Sequence, residues 1–428
     1  MKFASLKLND WRQFSTIDID FHERMTIVTG ANGSGKSTIL RLLAAHFGWQ
    51  NQLLSTPREG KGGVFQYFTG AQKKLLRRVL SQQVRPGAVN QQPMDVIGTI
   101  RYSNGVSSEI GVPEQAGAIY NALLTFQQAV QGLYIPSHRQ ANNYQPVAAI
   151  PTNAIDANYA YQMYWQALMH RYNNANGNIP SPFYRMKETL ISLATFGPGN
   201  EFVRRNERSA NLFERFTQIL RELLPPSLGF QAISVRIPDV VLVTKTGEFI
   251  LDSASGGLMS IIDLAWQIFL YSNDKDEFIV ALDEPENHLH PSMQRAILSR
   301  LLVAFPRAQF VIATHSPFIV SSVRESAVYA LKYRDSSESE EFPGSRSIDS
   351  IRLELGIRAS SASDILREVL GVPVTLPQWA EEELKQISER FSVAGLTENR
   401  IAELRGALAD AGLEEYYSDA LGRVIVAE

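Results

Sequence analysis

Residues 30–37 read Gly30-Ala31-Asn32-Gly33-Ser34-Gly35-Lys36-Ser37, a complete Gly-x4-Gly-Lys-Ser pattern, and no other segment constrains the fold as tightly. The preceding MTIVTG has strand character, and the following KSTILRLLAAHF has helical periodicity. A strand, a phosphate-sized loop and a helix therefore follow one another directly. Glycines let the backbone N–H groups of Asn32, Gly33, Ser34 and Gly35 turn inward around phosphate oxygens, and the helix N-terminus adds its positive dipole. Lys36 then reaches the β- and γ-phosphates, the Ser37 hydroxyl ligates Mg²⁺, and Thr38 assists. The alternative, a glycine-rich turn that only joins two elements, is disfavoured by the flanking strand and helix.

Three more groups fit this chemistry. Phe278-Ile-Val-Ala-Leu-Asp283-Glu284-Pro285 begins as an unbroken apolar run, which predicts a buried strand with both carboxylates at its C-terminal end, where ligands of α/β sheets collect. Asp283 is suited to hold Mg²⁺ through water and Glu284 to polarise the attacking water as general base; a plain strand cap is the other reading. About thirty residues later, Thr314-His315-Ser316 ends the strand-like QFVIA. A lone histidine is usually a satisfied core residue, but an imidazole at this strand end can donate to a γ-phosphate and sense its presence. Finally, Ser253-Ala-Ser255-Gly256-Gly257-Leu258 precedes the apolar helix MSIIDLAWQIFL and forms a second anion-binding nest. One chain has no second triphosphate to offer it. The economical reading has Ser255, Gly256 and Gly257 close over the nucleotide of an opposite subunit, with Ser255 on its γ-phosphate; an ordinary N-cap is the alternative.

The rest of the chain divides around these motifs. Residues 1–140 read as the β-rich first part of a nucleotide-binding head, with Asn104-Gly105 as a hairpin turn. Residues 141–226 form a helical insertion without the charged heptads of an extended coiled coil. Residues 227–334 alternate apolar strands with helices, the pattern of a parallel sheet covered on both faces. An acidic linker is expected over 335–347 and a helical subdomain over 348–428. The expected class is therefore α/β, a mixed β lobe plus a parallel core. A formal charge of −3 and a pI near 6.2 argue against a chain that coats nucleic acid, and the absence of cysteine excludes thiol catalysis, disulfides and Cys-ligated metals. The N-terminus lacks the apolar core of a signal peptide, and no stretch reaches the roughly 18 apolar residues of a membrane span. A cytoplasmic protein without a membrane partner is the expectation.

Together these motifs resemble the ABC-ATPase superfamily, in the SMC/Rad-fifty-like branch that includes the ATPase part of OLD-family proteins. The resemblance covers Met1–Leu43 and about Leu251–Ser322: Walker A GANGSGKS, a degenerate signature SASGG, Walker B FIVALDEP, a D-loop-like ENHLHP and the His-switch THS, in family order. It implies an ABC-type P-loop head that binds and hydrolyses ATP with Mg²⁺ and pairs head to head as an ATP-dependent homodimer. Asn287 and His288 would line that seam. The signature departs from LSGGQ, and the Q-loop glutamine is not obvious; Gln140, after LYIPSHR, is taken as the metal-facing residue, with Arg139 beside it as a phosphate or inter-subunit contact. Within the superfamily, the short helical insertion, DEPENHLHP and the tail SASDILREVLGVP are similar to ATPase subunits of PARIS-type and Septu-type anti-phage defence. That similarity implies a separate effector, such as a nuclease, with a nucleic acid or a phage protein as trigger.

No Asp-x-Asp pair follows Ser322, as the Toprim nuclease domain of OLD proteins would require, and Asp18-Ile19-Asp20 is read as surface alternation. The basic run Lys61–Arg85, with Phe65, Tyr67 and Phe68 nearby, is either a solvated helix face or a contact for phosphates or an acidic partner. Three functions stay open: an ATP-gated switch and scaffold in defence, a DNA-repair or chromosome-maintenance ATPase of the SMC/RecF-like type, and a transporter's nucleotide-binding subunit. The last is weakened by the unusual signature and the insertion.

Overall fold

The computed structural model describes residues 1–49, 52–59, 63, 65–71, 78–80, 93–137, 144–151, 155–173, 179–335, 346–354, 356, 361–371, 377–391 and 398–426. Two compact units are present, Met1–Ala362 and Ser363–Glu428.

In the first unit, alternation of apolar and polar residues makes β1 (Phe3–Trp11) and β2 (Phe14–Asp20) an antiparallel hairpin, with Leu6 opposite Ile19 and Leu8 opposite Ile17, all buried. Asp18, on the solvent face, pairs with Lys7 at 2.9 Å. β3 (Met25–Gly30) has all six residues buried, as a strand covered on both faces must. It runs into α1 (Lys36–Ala44). β4 (Pro93–Tyr102) and β5 (Ser107–Pro113) form the hairpin around Asn104-Gly105, where Gly105 adopts φ +83°. β6 (Gly132–Ile135) is a short buried strand.

Three helices follow: α2 (Ala157–Tyr172), α3 (Pro182–Phe196) and α4 (Glu207–Leu223). Each starts at a side-chain cap, Asp156, Ser181 and Asn206, whose oxygen accepts a backbone N–H. α3 packs on α2 and α4, both of which pack on α5 (Gly256–Ser272), and α4 also packs on α6 (Pro291–Ala304). The helical stretch is therefore part of the same compact unit as the sheet. An antiparallel meander, β7 (Phe230–Arg236), β8 (Asp239–Thr244) and β9 (Gly247–Ile250), precedes α5. β10 (Phe278–Asp283) and β11 (Ala308–Thr314) are buried throughout, and α7 (Pro317–Val320) and β12 (Ala327–Asp335) follow.

A strand, β13 (Arg346–Arg352), lies where the sequence suggests the start of a helical subdomain. It pairs antiparallel with β12 and parallel with β2, in the middle of the sheet. Its side chains are mostly polar because they bond laterally: the Ser350 hydroxyl accepts from Asp18 N, and Asp349 accepts from Thr16 N. The head thus extends to Ala362, and the intervening residues 336–345 lie outside the described residues.

Among the described residues one sheet of twelve strands carries the head. Its order is Leu123–Leu124, β5, β4, β1, β2, β13, β12, β3, β11, β10, β6, with Arg78–Leu80 on β4. The run β12–β3–β11–β10–β6 is parallel and the β5–β4–β1–β2 end antiparallel, so mixed lobe and parallel core are one continuous layer. Ile39, Leu40 and Leu43 of α1 pack into its core with Ile279, Ala281, Val311 and Ala313.

The second unit contains α8 (Gln378–Phe391), α9 (Glu398–Asp410) and α10 (Tyr417–Val426), which enclose their own core of Leu384, Ile387, Leu404, Leu408, Ala420 and Val424. Among the described residues no helix is long and apolar enough to cross a membrane.

Candidate functional site

Three neighbouring parallel strands, β3, β11 and β10, end side by side, and each delivers a motif at its C-terminal end. After β3 the loop turns through Gly33 at φ +78° and Gly35 at φ +91°. A Cβ on Gly35 would lie 2.4 Å from Phe14 Cζ, so glycine is needed here for contact as well as for φ. The Gln13 side chain donates to Gly33 O, tying the β1–β2 turn to the loop.

Lys36 is the first residue of α1 and is 4% exposed. Its ammonium donates to Gly30 O at 2.9 Å and Ala31 O at 3.0 Å, and stands 3.2 Å from His315 Nδ1. Burial lowers its pKa to about 8, against the attraction of Glu284, Asp283 and Glu286. The other ring nitrogen of His315, Nε2, faces Glu284 Oε1 at 3.4 Å. Burial and the lysine charge lower the His315 pKa, so the ring is neutral near pH 7.

At the end of β10, Asp283 is buried at 3% exposure. It shares a hydrogen bond with Ser37, its Oδ2 accepts from Tyr134 at 3.4 Å, and its Oδ1 is buried without a protein partner. Burial raises its pKa, with Ser37 opposing and Glu284 adding to the rise. An unsatisfied buried carboxylate oxygen next to a serine hydroxyl at the mouth of a phosphate loop fits a magnesium ion shared with phosphate. Among the described residues no group of three or more His, Asp or Glu side chains could hold a metal. Glu284 adopts φ +48°, an uncommon conformation for its residue type. Its Oε2 accepts from Asn287 Nδ2 at 3.0 Å, and the same amide donates to Ser137 O at 3.2 Å.

Sequence reasoning overlooks Glu286. One of its oxygens accepts from Thr314 Oγ1 at 2.6 Å, His315 N at 2.8 Å and Ser316 N at 3.2 Å, clamping the histidine turn. Its only sequence signal is its place two residues after Glu284; the role depends on β10 and β11 being neighbours. Tyr134 and Gln13 escape notice for the same reason.

Ser255 caps α5, its Oγ accepting from Leu258 N at 3.5 Å, and both Ser255 and Gly256 are exposed. A Cβ on Gly257 would lie 2.7 Å from His288 O, so the signature-like turn sits directly against the D-loop-like segment. A cleft of about 1350 Å³ runs from Ser37, Arg41, Tyr134 and Asp283 to Met259 and Asp263. The loop residues, both carboxylates and His315 are thus brought together, while Gln140 and Arg139 lie outside the described residues, as does much of the basic run 61–85.

Two family models match this chain: "AAA domain" over residues 5–95, and "AAA domain, putative AbiEii toxin, Type IV TA system" over residues 181–321. Both matches are to models described as AAA domains. The first match to this head contains the phosphate loop, and the second contains Ser255, Asp283, Glu284 and His315. Septu protein PtuA of Bacillus thuringiensis is 23% identical over 166 residues, 36% of this chain and 40% of that protein. Septu protein PtuA of Bacillus mycoides is 36% identical over 93 residues, 21% of this chain and 13% of its own. "Retron Ec83 probable ATPase" of Escherichia coli is 41% identical over 54 residues, 13% and 10% of the two chains. The chain therefore spans less than half the length of each of these relatives. Among solved structures, the SMC head domain from Thermotoga maritima matches at 14% identity and a TM-score of 0.40, over 83% of this chain and 100% of that one.

Proposed function

We propose that the head binds and hydrolyses MgATP, that two heads close face to face around the nucleotides, and that this closure controls an effector protein, a nuclease, in anti-phage defence. The observation that carries this reading is the convergence of Lys36, Asp283, Glu284 and His315 from three adjacent strand ends. Lys36 and the amides of Asn32, Gly33, Ser34 and Gly35 hold the phosphates, assisted by Thr38. Ser37 and Asp283 would hold Mg²⁺, which neutralises charge on the phosphate oxygens. Glu284 Oε accepts the proton of the attacking water, and Asn287 fixes the direction of that carboxylate. His315 Nε2–H is the donor that senses the γ-phosphate.

The dimer follows from the second nest. Ser255 and Gly256 are exposed at the N-terminus of a seventeen-residue helix, and the phosphate loop already serves the head's own nucleotide. A second head would place this turn over that γ-phosphate. The similarity to Septu and retron proteins supports the defence role and an effector partner.

Light scattering with MgATP tests the arrangement. Glu284→Gln should bind ATP, lose turnover by at least about 100-fold and accumulate as a dimer. Adding Ser255→Arg should return it to monomer with nucleotide still bound; an unchanged dimer would defeat the composite site.

A further inference from the structure

We propose that Lys187 is a positioning residue for the head-to-head site, joining the chain that leaves the nucleotide cleft to the turn that carries Ser255. Lys187 lies in α3 with its side chain 0% exposed, and the side chain of its partner Asp252, three residues before Ser255, is 3% exposed. The ammonium donates to Asp252 Oδ1 at 2.8 Å and Oδ2 at 2.9 Å, and to the backbone carbonyl of Gln145. An ammonium has three donors, and these three contacts use its full capacity. The rings of Tyr144 and Phe183 stand 5.2 and 5.9 Å from it.

The pair adds a direct polar link between pieces that otherwise meet only through the packing of α3 on β8 and of β8 on the Leu251–Ser253 turn. Asp252 belongs to a single 3-10 turn, Leu251–Ser253, that leads directly into the Ser255 cap. Gln145 is in the segment reached by the chain after β6, and its side chain accepts from the Ser181 hydroxyl that caps α3. At the other end of that connection, Ser137 O accepts from Asn287, the residue that also holds Glu284. Asn287 thus bonds both Glu284 and Ser137, and Lys187 bonds Gln145, further along the same chain, to Asp252 before Ser255; residues 138–143 between Ser137 and Gln145 lie outside the described residues. Stability alone does not call for these charges, because a buried ion pair can often be replaced by apolar side chains of similar volume without loss. What the charges add is geometry: three donors on one ammonium hold α3, Gln145 and the turn before Ser255 together.

This inference rests on the composite-site reading, and the experiment separates the two. In the full chain carrying Glu284→Gln, the double substitution Lys187→Met with Asp252→Leu removes both charges together. The expected protein has a near-unchanged Tm and binds a fluorescent ATP analogue normally, but its MgATP-driven dimer is weaker by at least about tenfold. A folded double variant that dimerises as tightly as Glu284→Gln alone overturns the inference, provided that Ser255→Arg blocks dimerisation. If Ser255→Arg also dimerises, the composite reading fails and the inference with it. Hydrogen exchange on monomeric Ser255→Arg gives an answer independent of how the double variant folds. MgATP should alter exchange at Leu251–Ala254 from within one chain, and unaltered exchange there overturns the proposal.

Discussion

Lys36 waits for nucleotide in a setting that already strains its charge. With its pKa lowered to about 8 by burial, the ammonium is charged at neutral pH but loses its proton far sooner than a free lysine. Phosphate favours the charged form, so the bound-state pKa is higher than the free one. Affinity should therefore be level below pH 8 and fall by up to about tenfold per pH unit above it. A fluorescence titration between about pH 6.5 and 9.5 measures this, and a flat profile would separate Lys36 from the phosphates. Glu286 sits one step back from the chemistry. Glu286→Ala removes three hydrogen bonds from the histidine turn, each worth about 1.5–3 kcal/mol when the acceptor is charged. Turnover should drop by about tenfold or more while nucleotide affinity changes little, because Lys36 and the loop amides are untouched. Equal losses in kcat and affinity would assign Glu286 to folding alone.

At the scale of elements, the legible parts are those whose burial is two-sided. β3, β10 and β11 read as continuous apolar runs because helices cover both faces, and each run ends at a chemically distinctive residue. Lys36, Asp283, Glu284 and His315 were legible for that reason. β13 was not, since among its described side chains only Ile348 enters the core and the lateral bonds of Ser350 and Asp349 go with the composition of a linker. The Lys187–Asp252 pair was equally hidden: it joins residues 65 positions apart, and no local pattern announces it. The α5 turn makes its own prediction. Gly257→Ala puts a methyl group 2.7 Å from His288 O and must push the turn off the D-loop-like segment. Thermal unfolding should show a loss of about 1–3 kcal/mol. ATP binding should persist, with dimer formation on the Glu284→Gln background impaired. An unperturbed Tm would mean that the two segments are not in contact.

For the whole molecule, the decisive property is a sheet that closes late in the sequence. A chain ending at residue 335 lacks β13 and leaves β2 and β12 with open edges, so it should be insoluble or unable to bind ATP. One ending at Ala362 retains the complete first unit and should bind ATP with the affinity of the full chain. Expression followed by nucleotide titration of the two fragments distinguishes them; a folded, ATP-binding 1–335 fragment would show that β13 is dispensable.

Because β13 is wedged between β2 and β12, the β1–β2 hairpin must wait during synthesis for more than three hundred further residues before its open side is filled. The phosphate loop stands without its histidine neighbour for nearly as long, since His315 is made only shortly before β13. Chain order therefore makes the central strand that closes the sheet also one of the last pieces to join the layer carrying the phosphate loop.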